Sequence, residues 1–388
     1  MKLPIYLDYH ATTPVDPRVL EAMLPFFTEN FGNPASRNHK FGWTAATAVE
    51  NARKQVARLI NARAKEIVFT GCATESDNLA IKGVARRRGT RDHIITMATE
   101  HKAVLDSAKR LEQEGWRVTY ARVQPDGLVD VQDLKQAITD KTLLVSIMAA
   151  NNEIGVIQPL GEIGRLCRER GALLHTDAAQ ATGKIPLDVE AMQIDLLSIA
   201  GHKMYAPKGV GALYVRRRGA PVDIAPITDG GGHEGGLRSG TLNVPAIVGL
   251  GKACEICTQA IPEESRRLAA LRDRLKDGLL GALDGIRING SLEHRLPNNL
   301  NVSFPDVDLA TLLAALNDVA LSSGSACNSG TPEPSYVLQA LGVPEEVANT
   351  PIRFGLGRFN TEEEIDYCLG RVVETVKRLR EMAPTAAA

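Results

Sequence analysis

Charge of either sign is nearly absent as a net quantity: 45 basic and 46 acidic residues leave the 388-residue chain at −1. That balance argues against a broad surface for nucleic acid or for an anionic membrane. No apolar run approaches the roughly 20 residues that cross a bilayer, and the opening MKLPIYLDYHATTPVDP lacks the long apolar centre of a secretory signal. The expectation is a soluble, cytoplasmic protein with no direct nucleic-acid and no membrane contact. Cysteine is sparse too, with six residues at positions 72, 167, 254, 257, 327 and 368, too few and too scattered for a disulfide framework. Only Cys254 and Cys257 lie close together. No second CxxC or CxxH completes four ligands, so they read as small apolar residues one helical turn apart, and no metal is expected. Neither G-x-G-x-x-G between a strand and a helix nor GxxxxGK[ST] occurs, so any phosphate bound here belongs to something other than an ordinary dinucleotide or nucleoside triphosphate.

What is present is an alternation of short β-rich runs with helical patterns. EIVFT precedes a helical run from Glu75, HIITMA precedes HKAVLDSAKRLEQEG, and TLLVSIMA precedes LGEIGRLCRERG; ALLHTDA, DLLSIAG and GALYVRR follow. The pattern predicts an α/β fold whose mostly parallel sheet is buried on both faces. Val49, Ala52, Val56, Leu59 and Ile60 recur at helical spacing. DGGGHEGGLRSG is too glycine-rich for an element interior and reads as a loop. The helical AIVGLGKACEICTQA and EESRRLAALRDRLKDGLLGAL flank a boundary near Ala260, beyond which helix, strand (NLNVSF), helix and strand form a smaller α+β unit. The length suits two domains, taken as 16–260 for the larger and 1–15 with 261–388 for the smaller.

Three segments could carry chemistry. In AGHKMYAPKG, Lys203 follows what reads as a buried strand, either as a charge snorkelling to water or as a functional amine. In FTGCATESDNLAIKG, Gly71, Ala73 and Thr74 open a helix, where free N–H groups and a hydroxyl suit a phosphate; Thr74 with Asp77 equally resembles a capping box. In LLHTDAAQATGK, Asp177 ends a strand, as a helix cap or as the partner of a protonated pyridine nitrogen. A phosphate site, a pyridinium counter-ion and a Schiff-base lysine together are what pyridoxal 5'-phosphate requires.

The chain resembles the NifS/IscS-type cysteine desulfurases, fold-type I pyridoxal-phosphate enzymes of the class V aminotransferase family. The matching blocks run from end to end: YLDYHATTPVDPRV, FGNPASRNHKFGW, FTGCATESDNLAIKG, TEHKAVLDS, NNEIGVIQPL, HTDAAQATGKIPLDV, GHKMYAPKGVGALYVRR, GGGHEGGLRSGTLN, LSSGSACNSGTPEPSYVLQALG and IRFGLGRFNTEEEID. The resemblance implies that Lys203 forms the imine, Asp177 pairs with the ring nitrogen, His101 stacks on the ring and Gln180 bonds the phenolic oxygen. It implies that Ala73, Thr74 and His202 hold the phosphate with Thr241 from the second subunit of a homodimer, and that Asn152 and Arg353 grip the substrate carboxylate, for which a planar guanidinium fork is suited.

Cys327 lies among small polar residues and glycines in SSGSACNSG, unlike a structural cysteine among apolar neighbours. The resemblance makes it the persulfide carrier of a loop in the smaller domain. L-cysteine would then become L-alanine as its sulfur passes to Cys327 and on to an acceptor, an iron-sulfur scaffold or a thiolation relay. Ala200 stands where a serine commonly helps bind the phosphate, and Cys72 where glycine is usual. NSG follows Cys327 where housekeeping members read more like TSA, and a longer C-terminal docking segment is lacking, so the scaffold is the less firmly implied partner. A selenocysteine lyase, a class V aminotransferase with no need of Cys327, or a non-catalytic sulfur-relay protein are the rival readings.

Overall fold

Each of the six β-rich runs becomes a strand, and a seventh, Arg117–Ala121, joins them. The computed structural model describes residues 2–87, 89–323 and 335–382; Cys327 lies outside them. Among the described residues the strands are β1 (Ile5–Tyr6), β2 (Ile67–Thr70), β3 (His93–Met97), β4 (Arg117–Ala121), β5 (Thr142–Ser146), β6 (Leu173–Asp177), β7 (Leu196–Ala200), β8 (Gly211–Val215), β9 (Arg287–Ile288), β10 (Asn299–Ser303), β11 (Val319–Ala320) and β12 (Pro351–Gly355). The large sheet runs β2-β8-β7-β6-β5-β3-β4, parallel except for β8, which is antiparallel to both neighbours.

Period-two alternation along these strands divides the apolar side chains between two cores. Phe69, Ile95, Val145 and Leu197 face one side, packed with the helices Lys40–Leu59 and Val244–Ala282, while Val68, Ile94, Leu144 and Leu196 face the other with the helix Ala73–Ala85. Burial on both faces explains the near-continuous apolar runs. A further core gathers Ile5 and Leu7 with Leu275, Val302, Phe304, Phe354 and Val372 around the β12-β10-β9 sheet.

The two helical patterns on either side of residue 260 are one 39-residue helix, Val244–Ala282, capped by Asn243 and with Pro262 inside it. A proline there forfeits one hydrogen bond and strains the preceding turn, at about 3 kcal/mol. Continuity wins because Ile247, Leu250 and Ile261 are buried in one core and Leu268, Leu271, Leu275 and Leu279 in another. This helix also corrects the expectation about apolar runs: an 18-residue window reaches a mean hydropathy of 1.2, long and apolar enough to cross a membrane, with 61% of it buried inside the protein.

Candidate active site

Parallel strands deliver their C-terminal ends to one edge of the sheet, where ligands of open α/β sheets bind. The segments after β2, β3, β5, β6 and β7 supply Cys72–Thr74, His101, Met148 with Ala150 and Asn152, Ala179–Gln180 and His202–Lys203 to one cavity of about 310 Å³. His10 and Ala11 enter from the N-terminal segment and Arg353 from β12. The structure thus brings together Ala73, Thr74, His101, Asn152, Asp177, Gln180, His202, Lys203 and Arg353, all selected from the sequence.

Lys203 lies in a single helical turn, Gly201–Lys203, directly after β7. Its Nζ donates to the Ala11 carbonyl at 2.8 Å and to the His10 carbonyl. Asp177, at the end of β6, accepts from the Ala179 N–H at 2.8 Å, so it caps the following turn as well as lining the cavity. Burial pushes its carboxyl up, opposed by His101, the Ala179 N–H and Lys203. His101 begins the helix Lys102–Gln113, with Nδ1 accepting from the Ala103 N–H at 3.2 Å. That bond places a neutral ring's proton on Nε2.

Thr74 does not form a capping box. The N-cap of the helix Ala73–Ala85 is Cys72, which makes no side-chain cap bond, and the nearby acid Glu75 instead accepts from the Gly71 N–H and pairs with Arg238. A 13-residue helix whose opening lacks a side-chain cap and faces the cavity suits an anion. His202 lies beside it, its Nδ1 3.1 Å from the Thr12 hydroxyl. Burial, then Lys203 and other cations, push its ring down to about 4, which leaves a neutral ring able to accept from Thr12 and donate from Nε2.

Arg353 is 4% exposed. It donates to the Asn152 carbonyl (3.0 Å), to Asp8 (2.8 Å) and to the Ser322 hydroxyl (2.8 Å), so one acidic partner already orients the guanidinium. The Arg353 Nε and the Asn152 Oδ1 are buried without hydrogen-bond partners. Such atoms are costly to leave unpaired, and both belong to residues lining the cavity. An amine and an acid in one cavity, an open helix start and the orphaned Arg353 Nε–H fit pyridoxal phosphate and an amino-acid carboxylate, while the Asn152 Oδ1, an acceptor, is left for a donor.

Thr241 stands apart from this cavity. It lines a separate depression with Gly71, Arg238 and Asn243, in the glycine-rich segment that Glu234 anchors through Arg53 and the Phe69 N–H. Cys254 and Cys257 are buried in the long helix, and no cluster suited to a metal ion occurs among the described residues.

Sequence reasoning passed over His10 and Lys184, and weighed Asp77 only as a capping partner of Thr74. Asp77 carried a signal, since a carboxylate one turn into an apolar helix face is unusual; it is buried, 3.6 Å from His175 Nε2, and burial followed by the Asp177 charge pushes its carboxyl well up. Lys184 follows Gly183 in the quoted QATGK block, and its Nζ donates to the carbonyls of Gln180 (3.0 Å) and Lys203 (3.2 Å). Burial, then the Lys203 charge, push its amine down to about 7 from 10.5. Below pH 7 the folded and unfolded states both hold this proton. Between 7 and 10.5 the unfolded chain binds more protons, so this group makes stability rise with pH. Lys184→Met will therefore flatten the increase in the urea midpoint between pH 7 and pH 9 relative to wild type; an unchanged slope would show that the amine is charged throughout.

Residues 5–368 match the family described as aminotransferase class-V. The chain is 59% identical over 385 residues to the cysteine desulfurase IscS of Anaeromyxobacter dehalogenans (strain 2CP-C), covering 99% of this chain and 95% of that protein. It is 54% identical over 383 residues to the cysteine desulfurase IscS of Rickettsia felis (strain ATCC VR-1525 / URRWXCal2), covering 98% and 93%. Among solved structures it is similar to a NifS-like protein, with a TM-score of 0.90, 41% identity and coverage of 97% and 100%. It is also similar to SspA in complex with cysteine, with a TM-score of 0.81, 38% identity and coverage of 92% and 100%.

Proposed function

The chain belongs to the class-V aminotransferase family and is a pyridoxal-phosphate-dependent cysteine desulfurase, and we propose that it converts L-cysteine to L-alanine in the strand-end cavity and passes the sulfur to Cys327. The observation that carries the reading is the convergence of Lys203, Asp177 and Arg353 on one cavity of about 310 Å³. Thr74, His202 and the opening of the Ala73–Ala85 helix would hold the phosphate, and Asp177 would hold a proton on the ring nitrogen. His101 would lie against the ring, and Gln180 would meet its phenolic oxygen.

Bound pyridoxal phosphate supplies an electron sink for the carbanion left when the substrate Cα proton departs. Lys203 leaves the His10 and Ala11 carbonyls and takes that proton. Arg353, oriented by Asp8, and Asn152 hold the substrate carboxylate so that the Cα–H bond faces the amine. The Cys327 thiolate then attacks the substrate sulfur: an S–S bond forms, the C–S bond breaks and its electron pair stays with the carbon fragment, which takes a proton at Cβ and regains one at Cα from Lys203 to yield alanine.

A homodimer completes the phosphate site in this reading, with Thr241 supplied by the second copy; its position outside its own chain's cavity supports this. The separate apolar groupings support 16–260 as the larger, cofactor-binding unit and 1–15 with 261–388 as the smaller. Five free cysteines among the described residues suit a reducing, cytoplasmic setting, where an iron-sulfur scaffold or a thiolation relay accepts the sulfur. The test is to supply the cofactor-loaded protein with L-cysteine and reductant. Alanine and sulfide in equal amounts are expected, whereas a keto acid in place of alanine would make the protein an aminotransferase.

A further inference from the structure

We propose that the buried His10 ring fixes the side-chain amide of Gln180 so that it offers an N–H, not its carbonyl, to the cofactor cavity, which makes His10 a positioning residue for the reaction. The inference rests on the reading above that Gln180 meets the phenolic oxygen of the cofactor.

The geometry leaves little freedom. His10 is 1% exposed. Its main-chain carbonyl, which can only accept, lies 3.0 Å from the Gln180 amide nitrogen and also receives the Lys203 amine. The other end of the amide, Oε1, lies 2.8 Å from His10 Nδ1. An amide oxygen can only accept, so Nδ1 carries the proton and donates to it. The second ring nitrogen faces the Asn298 carbonyl at 3.2 Å. Burial, with Lys184, Arg353 and Lys203 nearby, disfavours a second ring proton, and the single proton goes to the shorter contact.

A reversed Gln180 amide would set its oxygen against the His10 carbonyl and its N–H groups against the Nδ1–H. The His10 carbonyl thus selects which end of the amide donates, and the Nδ1–H holds the other end, so carbonyl and ring together keep one orientation. In that orientation one amide N–H is used on the His10 carbonyl and the second is left for the cavity that Gln180 lines. A donor at that place stabilises an ionised phenolic oxygen, and a carbonyl would oppose it.

The ring is seated from the far side of the molecule. A Cβ at residue 355 would come 2.9 Å from His10 Cδ2, so glycine in β12 gives the ring its place, and Asn298 immediately precedes β10. Residues of the β12-β10 sheet thus set the polarity of a side chain on the β6 side of the cavity.

The experiment compares wild type, His10→Ala, His10→Asn, Gln180→Leu and the His10→Ala/Gln180→Leu pair. Each is loaded with pyridoxal phosphate, and the pH midpoint of the bound cofactor's visible absorbance is measured; the apoproteins are melted alongside. Loss of a donor to the deprotonated form raises that midpoint. His10→Ala is expected to shift it upward by about 1 unit, in the same direction as Gln180→Leu, and the pair is expected to show no further shift. His10→Asn, whose amide can return an N–H to Oε1, is expected to restore the wild-type midpoint. His10→Leu fills the ring's space without a donor and repeats the test if alanine does not fold. A shift in Gln180→Leu but none in His10→Ala overturns the role of His10 alone, as does an Asn variant that melts like wild type yet titrates like Ala. No shift in Gln180→Leu overturns the placement of Gln180 at the phenolic oxygen, and this inference with it.

Discussion

Replacing Lys203 with alanine is expected to abolish alanine and sulfide production from L-cysteine, a loss of roughly 10⁴-fold where proton transfer is the work removed. Among the described residues Lys203 is the one lysine lining the cavity. Lys184 cannot replace it, because the Lys184 amine is buried behind the site and donates to the Gln180 and Lys203 carbonyls. Arginine at 203 is expected to fail as well, since a guanidinium keeps its proton and so cannot act as the base. The fold should survive, as the side chain is partly exposed and its Nζ bonds the carbonyls of the adjacent residues His10 and Ala11. Chromatographic alanine and colorimetric sulfide, with a thermal melt as control, measure this. More than 1% of wild-type turnover in a protein that melts normally would remove Lys203 from the proton-transfer role.

Cys327→Ala should separate cofactor binding from sulfur transfer. The variant keeps the cofactor's absorbance and its response to L-cysteine, while sulfide falls more than about 100-fold, as expected when a nucleophile is deleted. Mass spectrometry of the wild-type protein after L-cysteine should find one added sulfur on the peptide containing Cys327. The other thiols are poor substitutes: Cys167 and Cys368 are buried and pushed up to about 12 by burial, and Cys254 and Cys257 are buried in the long helix. Cys72 is the informative control, being exposed and lining the cavity. Full activity in Cys327→Ala together with loss in Cys72→Ala would move the carrier to Cys72.

The sheet was legible because strands buried on two faces must be apolar throughout, and EIVFT, TLLVS and DLLSI can hardly satisfy any other environment. Lys203 and Asp177 were legible for the complementary reason: a charge placed just where such a run ends falls at the sheet edge where ligands bind. Helix continuity at residue 260 was not legible, because Pro262 is a local signal while the burial that overrides it comes from two distant cores. The roles of His10 and Lys184 escaped for a similar reason. His10 bonds residues 170 and 288 positions away, and no local pattern around YHATT encodes either contact. Arg353 was selected as a carboxylate fork, but its pairing with Asp8, 345 residues away, was hidden.

These separations have a consequence for the order in which the protein is made. Residues 5–13 are made long before β12, yet Tyr9 and His10 pack against residues of β12, and the Tyr6 carbonyl accepts from Asn360. At 5–20 residues per second, roughly 17–70 s of synthesis separate the two halves of that contact. The large sheet can form while the chain is still growing, but the Lys203 amine cannot be held in its final setting until the last strand arrives. Ile5 and Leu7 lack the β12 members of their core, Ile352 and Phe354, until then, and a chain cut short before β12 can build the sheet without closing the wall that Arg353 and the seated His10 ring provide.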